Sequence, residues 1–494
     1  MSSGFVAAHG LFTAAQQDAA DKVRSEVERL DLEMIRLSWP DQHGLLRGKA
    51  LTKEAFLSAL DSGAEITMAP FFFDTANAIV FNPFMSGGGF SDPALSGSPN
   101  VIMVPDPSTF KVLPWAPATG WVLCDLYMRD GEPFPFAPRR LLKDALDRLG
   151  ETGYDLQAGI EIEWYLTRIT DLRLDADPGA PGNRGVPPAV MPVARGYSYL
   201  LENHLDEIDD VLAPIRKHLL ALGLPLRSTD DEWGPSQVEI TFGVMDGLAT
   251  ADAVVLFRNA VKQICRRAGY LATFMCTPAI PGFYASGWHL HTSLQDRVTG
   301  RNAMIPAEGE VLSQAGRHYV GGTLAHASAA SVFATQTVNG YRRRRPYSLA
   351  PDRVTWGFDN RAAMMRVLGS PGDPSTHVEN RVGEPAANPY LYIAAQVMSG
   401  WDGLVNKIDP GPPSDDPYAE EVEVLPQDLG AALDALESDR FFRGVWGDRF
   451  IDYLVTMKRS ELDRYLAHVA EQSDPEAYAA EVTDWEHREY FELY

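Results

Sequence analysis

Apolar and polar residues alternate along Gly159–Leu166 (GIEIEWYL): Ile160, Ile162, Trp164 and Leu166 fall on one side, Glu161 and Glu163 on the other. A period of two predicts a strand, because successive side chains of an extended chain point to opposite faces. The apolar set faces a core, and the carboxylates share the other face. At ~7 Å apart, two such charges repel by about 2–3 kcal/mol at an effective dielectric near 20. A solvated outer face tolerates that, and a buried face tolerates it where cations offset the charge. Three more stretches alternate in the same way. One face carries Gln237, Glu239 and Thr241, another His289, His291 and Ser293, another His377, Glu379 and Arg381.

Elsewhere, Asp31–Trp39 alternates as a strand and runs into a turn at Pro40–Gly44, where Asp41 ahead of glycine is ordinary turn chemistry. Val101–Asp106 and Gly120–Met128 read as short strands. Helical periodicity marks 14–30, 51–62, 138–149, 205–222, 251–268, 427–437 and 449–470. Pro138 opens the third of these, with Leu141, Leu142, Ala145 and Leu149 inward and Gly150 at its end; Gly223 ends the fourth. Residues 70–100, rich in Phe, Gly, Ser and Pro, read as a loop anchored by Phe71, Phe72, Phe73, Phe81 and Phe84. Residues 171–196 read as an insertion loop. The Pro-rich stretch 131–138 marks a domain boundary. A small N-terminal domain (1–130) therefore precedes a large α+β domain (136–494).

The chain's 494 residues exceed one ordinary core, in agreement with two domains. A net charge of −24 leaves no basic surplus for nucleic acid. Cys124, Cys265 and Cys276 form no CxxC pair, which fits a reducing compartment and neither a disulfide framework nor a zinc site. With no signal-like start and no membrane-length apolar run, the expected location is cytoplasmic, with no membrane partner.

No GxGxxG follows a strand and no GxxxxGK[ST] is present, so a nucleotide would be held by side chains and metal. Glu161, Glu163, Glu232, Glu239, Glu379 and His289 form a hard, oxygen-rich set suited to Mg²⁺ or Mn²⁺ rather than zinc. The arginines 342–345, Arg361, Arg366 and Arg381 supply the positive charge that phosphoryl transfer needs. These residues predict an ATP-using, multi-metal enzyme acting on an anionic substrate.

In their order along the chain these pieces resemble the glutamine synthetase family. They are DxxG at Asp41, PDPSTFKVLPW at 105–115, the ExE strand, ExxxxxxE at 232–239, SGWHLHTS at 286–293, NGYRRRRP at 339–346, NRAAMMR at 360–366, ENR at 379–381 and ANPYLYIAA at 387–395. The resemblance implies a β-grasp-like N-terminal domain ahead of a glutamine synthetase/guanido kinase-like catalytic domain. It implies two or three Mg²⁺ or Mn²⁺ ions per site and ATP as co-substrate. Glu163, Glu232 and Glu239 resemble the ligands of the ion near glutamate; Glu161, His289 and Glu379 resemble those of the ion at the ATP phosphates. Arg343 and Arg381 match the arginines on glutamate's carboxylates, and Ala285 would meet its amino group through the backbone carbonyl. Arg361 and Arg366 match those on the phosphates, and His291 and Ser293 match nucleotide contacts. Family members form homo-oligomers, usually dodecamers of two stacked hexameric rings, with Asp41 then donated in trans.

The implied reaction phosphorylates the γ-carboxylate of L-glutamate with ATP and lets an amine displace the phosphate. Ammonia-using members keep a glutamate in the flap where this chain has Leu349, and their Asn-Gly before Ser-Gly is Tyr284-Ala285 here. A leucine cannot attract ammonium or accept its proton, but it packs against an apolar amine. An arylamine is uncharged at neutral pH and needs no strong base before attack. The expected activity is a γ-glutamylamide synthetase for an apolar or aromatic, aniline-like amine. The alternatives are an ordinary glutamine synthetase, a polyamine ligase and a non-catalytic family member. Tyr418 reads as an exposed loop tyrosine.

Overall fold

The computed structural model describes residues 4–174, 177–419 and 421–494. The chain folds into two units. The first takes in the chain up to Phe73, Ile79–Arg140 and Lys217–Leu224; the second takes in Asp74–Ala78, Leu141–Arg216 and Pro225–Tyr494. Among the described residues no helix is long and apolar enough to cross a membrane, and the three cysteines are buried as free thiols.

The first unit is built on strands β1 (Met34–Pro40), β2 (Leu46–Thr52), β3 (Ala64–Thr67), β4 (Asn100–Pro105), β5 (Lys111–Val112) and β6 (Thr119–Tyr127), in the order β2-β1-β6-β4-β3 with β5 beside β6. β1 and β6 run parallel and the other pairs antiparallel. The helices Ala14–Arg29 and Lys53–Ser62 fall where their periodicity predicts. Thr13 and Thr52 cap them by accepting backbone N–H bonds that the first turn leaves open. The 70–100 loop is anchored as expected by Phe71, Phe72 and Phe81, but β3 precedes it and Phe84 is exposed.

The second unit is organised around β7 (Tyr154–Asp171). It continues through β8 (Gly179–Ala180), β9 (Asn183–Arg184), β10 (Ala189–Pro192), β11 (Leu226–Asp231), β12 (Gln237–Phe242), β13 (Met245–Asp246), β14 (Tyr270–Thr273), β15 (Trp288–Asp296), β16 (Trp356–Phe358), β17 (Met365–Leu368) and β18 (His377–Gly383). The main sheet runs β11-β12-β7-β15-β18-β17-β16, with β10, β13 and β14 also pairing β7. Its apolar face holds Ile160, Ile162, Trp164, Val238, Ile240, Trp288, Leu290 and Val378, all buried. Helices pack on that face. Phe257 of the Gly247–Arg267 helix meets Phe242 and Phe274 edge to face, and Tyr392 of the Pro389–Asn406 helix meets Trp288.

Several expectations need correction here. The Pro138–Glu151 helix runs past the buried Gly150, and Gly153, with φ near +89°, turns the chain out of it. The 171–196 segment carries a β8–β9 hairpin and β10 rather than plain loop. The 205–222 helix is two, Glu202–Glu207 and Asp209–Ala221. The helix expected at 449–470 begins at Arg440 and bends at Gly447. Gln314–Ala325, Ala327–Ala334 and Pro389–Asn406 were not anticipated as helices. The last is buried along almost its whole length, so no polar stripe betrays its period.

Candidate active site

The polar face of the second sheet gathers its acids by register. In the β12–β7 pair Glu239 lies opposite Glu163, and in the β15–β7 pair His289 lies opposite Glu161. In the β15–β18 pair His291 lies opposite Glu379, and in the β17–β18 pair Arg366 lies opposite Glu379. Directly opposed side chains sit about 5 Å apart at Cβ, so alternation on four strands is enough to build one carboxylate–imidazole cluster.

Within the cluster Glu161 pairs with both histidines, at 2.5 Å to His289 Nδ1 and 3.3 Å to His291 Nε2. His289 also lies 3.5 Å from Glu379 and 4.0 Å from Glu163. Glu379 accepts from Arg381 and, at 3.0 Å, from Arg366, whose other edge donates to Asp359. Gln237 Nε2 donates to Glu163 at 2.9 Å and to the Ser286 hydroxyl at 2.8 Å, and lies 3.4 Å from the Ala285 carbonyl. Glu232 follows β11 in the turn before β12. Ser293 lies further along β15 on the same face.

The acids are held against their preference for charge. Burial, then the charge of Glu232, raises Glu163 from 4.5 to about 8. Burial raises Glu232 to about 7. Burial, then Glu161 and Glu163, raises Glu239 to about 10. Glu161 and Glu379 go the other way: burial alone would raise both, but His289 with His291, or His289 with Arg381, holds them below the carboxylate range.

This donor set fits divalent cations. Ligand atoms of Glu161, Glu239 and His289 lie within 4.8 Å of one another, as do those of Glu161, His291 and Glu379. Three crowded carboxyls with raised pKa values are what a cation's charge would relieve. The two close groupings cut across the ligand sets implied by the resemblance, because Glu161 uses its two oxygens on two histidines and so belongs to both.

Of the run Arg342–Arg345, one member reaches this cluster. Arg343 donates to the carbonyls of Arg381 and Gly383 at 2.9 and 3.0 Å. A Cβ built on Gly287 would lie 2.5 Å from its Nη2, 3.0 Å from His289 Nε2 and 3.3 Å from Glu163, so Gly287 leaves the space between them open. Arg342 pairs instead with buried Glu486, Arg344 binds the Pro426 carbonyl, and Arg345 is exposed. Arg361 is exposed. Leu349 is 71% exposed, and its carbonyl accepts from Arg381 at 3.3 Å. Tyr418 is half-buried, correcting its reading as an exposed loop residue, and its ring lies 4.4 Å from that of Tyr347, tilted by 32°. Asp41 belongs to the first unit, where it is buried and accepts from His43 N, Leu45 N and Arg47 Nε.

Pattern reading set Gln237 on the face of Glu239 without giving it a role, and did not single out Gly287. Both lie inside the quoted motifs, and the one signal was a glycine directly ahead of the HxH strand.

The catalytic-domain profile of glutamine synthetase matches residues 135–487. The chain is 55% identical over 496 aligned positions to a γ-glutamylanilide synthase of an Acinetobacter species, covering 99% of each. It is 32% identical to a glutamate–isopropylamine ligase of a Pseudomonas species, covering 89% of this chain and 94% of that one. The solved structure of apo GmaS superposes with a TM-score of 0.75 at 28% identity, covering 94% of this chain and 98% of that one.

Proposed function

Because this chain belongs to the glutamine synthetase family, we propose that it is a glutamate–amine ligase whose acceptor is an uncharged aromatic amine of the aniline type. It is an ATP-dependent carbon–nitrogen ligase that makes γ-glutamyl amides and not an ordinary ammonia-using glutamine synthetase. The observation that carries the acceptor is Leu349, an exposed apolar side chain on the flap that follows Arg343. The end-to-end likeness to a γ-glutamylanilide synthase supports it.

The reaction runs in two steps. A γ-carboxylate oxygen of glutamate attacks the γ-phosphorus of ATP, and ADP leaves. The amine nitrogen then attacks the acyl carbon, the C–O bond to phosphate breaks, and the nitrogen loses a proton. Glu161, Glu163, Glu232, Glu239, His289 and Glu379 would hold Mg²⁺ or Mn²⁺, which when bound offsets charge on the phosphoryl oxygens. Arg343, which donates to the Arg381 carbonyl, and Arg381, which donates to the flap carbonyl of Leu349, are assigned to glutamate's carboxylates. The carbonyl of Ala285 takes its amino group, and Arg361 and Arg366 with His291 and Ser293 meet the nucleotide. Among these, Arg366 is pre-aimed by Asp359 and Glu379. An arylamine arrives with its lone pair free, so the flap needs no carboxylate base to take a proton from it before attack.

The first unit is assigned as a β-grasp-like domain and the assembly as two stacked hexamers, with Asp41 completing a neighbour's site. The test is phosphate release dependent on ATP and glutamate across ammonium, ethylamine, putrescine and aniline, with products identified by mass. Aniline should give the highest kcat/KM. Efficient glutamine formation with no gain from any organic amine would sink the acceptor assignment.

A further inference from the structure

The turn between β11 and β12 places Glu232 beside a large ring. Trp233 is 43% exposed, and its backbone N–H donates to the Glu232 carboxylate at 3.0 Å. The backbone beneath the ring is tied down. Gly234 N donates to Gln237 Oε1 at 2.8 Å, and a Cβ on Gly234 would lie 2.2 Å from the Tyr165 hydroxyl, so the turn packs directly on the core. Tyr197 supports the ring from the side. Its N–H donates to the Trp233 carbonyl at 2.7 Å, its hydroxyl donates to the Gly282 carbonyl at 2.6 Å, and its ring meets Trp233 edge to face at 5.6 Å. Tyr199 and Tyr284 leave about half of their surfaces exposed, Tyr199 beside Leu200, whose N–H donates to the Asp231 carbonyl, and Tyr284 with its carbonyl on the Tyr165 hydroxyl beneath the turn. The Tyr199 phenol is raised by partial burial and then by Glu232 and Glu239, which places it in the field of the acid cluster.

A rigid turn that holds an indole half-open beside a charged cluster keeps apolar surface where polar surface would cost less. An ammonium ion is too small to cover it. A flat, uncharged ring covers it and gains the stacking that aromatic pairs prefer. We infer that Trp233 is the specificity-determining residue for the aromatic ring of the amine, with Tyr197 as the positioning residue that holds its indole in place. The inference rests on the acceptor reading above and adds the residue that enforces it.

The test compares kcat/KM for aniline and for ethylamine, with KM for glutamate and ATP, in the wild type and in Trp233→Ala, Trp233→Leu and Trp233→Phe. The aniline-to-ethylamine ratio should fall by about 10- to 100-fold in Trp233→Ala, the span of apolar contacts in a substrate pocket. The loss should lie mainly in KM for aniline. Trp233→Phe should restore most of the ratio, and Trp233→Leu, which keeps bulk without an aromatic face, should not; this pair decides the matter if the alanine variant fails to fold. An unchanged ratio, or equal recovery by Phe and Leu, would overturn the inference while leaving aniline use intact. A larger loss for ethylammonium than for aniline would mark a cation–π site and overturn it too. A wild type that turns over ethylamine but not aniline overturns the acceptor reading itself.

Discussion

Glu239, Glu163 and Glu232 carry pKa values of about 10, 8 and 7 against an ordinary 4.5. A folded state with raised carboxyl pKa values binds more protons than the unfolded chain, so stability from these groups is fully present below the unfolded value and is lost as pH rises through the folded ones. Cations must displace those protons, so their affinity climbs over the same range. In EDTA the melting temperature should therefore be lower at pH 9 than at pH 6, and the rise on adding Mg²⁺ should be larger at pH 9; equal rises at both would contradict the protonated cluster. Leu349 permits a sharper substitution, since its exposure means little packing is lost. Leu349→Glu should shift the kcat/KM ratio of ammonium to aniline upward by about 100-fold or more, the scale on which a positioned general base acts, with the melting temperature moving by little. At this scale Glu161, Glu163, Glu239, Glu379 and the histidines stand out because they occupy alternate positions on strands, whereas Glu232 lies in a turn. The pairing partners of these strand residues do not stand out, because Glu161 reaches two histidines across the sheet rather than along the chain.

Elements show why some of the chain read well and some misled. β7, β12, β15 and β18 announced themselves by period two, and their order in the sheet turned four separate patterns into one cluster. The run Arg342–Arg345 reads as charge for phosphoryl transfer, yet Asn339–Arg343 forms a 3₁₀ turn. At three residues per turn, consecutive side chains point about 120° apart, so neighbours in sequence part company. Gly287 tests the packing of the HxH strand's entry. Gly287→Ala drives a methyl into Arg343 and His289, and should lower kcat by at least about 100-fold, the loss expected when catalytic groups are misplaced by an ångström. Circular dichroism should stay native-like. A second element-level check lies in the helix Arg440–Ala470, where Arg464 binds Asp74 at 2.7 Å and Glu489 at 2.7 Å, both carboxylates being buried. Arg464→Ala strands two buried charges, and urea unfolding should show a loss of about 3–5 kcal/mol.

For the whole molecule, the proposed sharing of sites makes a strong demand. If Asp41 serves a neighbour, a Glu239→Gln chain and an Asp41→Asn chain, each inactive alone, should regain activity when dissociated and reassembled together. Particles with six-fold views should appear by negative-stain electron microscopy. Activity that never returns on mixing would confine each site to one chain. The Pro-rich stretch after β6 reads as a boundary, whereas the two units exchange Asp74–Ala78 and Lys217–Leu224 across it in sequence. The capture of Asp74–Ala78 by the second unit could not be read locally, because Asp74 is held by the half-buried Arg464 nearly four hundred positions away.

β7 hydrogen-bonds five other strands while holding Glu161 and Glu163 on one side and Ile160, Ile162 and Trp164 on the other. Adding or deleting one residue ahead of Glu161 would turn the acids toward the helices and the apolar side chains toward the substrates. Heredity can lengthen the loops of such an enzyme residue by residue, but this strand tolerates editing only two residues at a time.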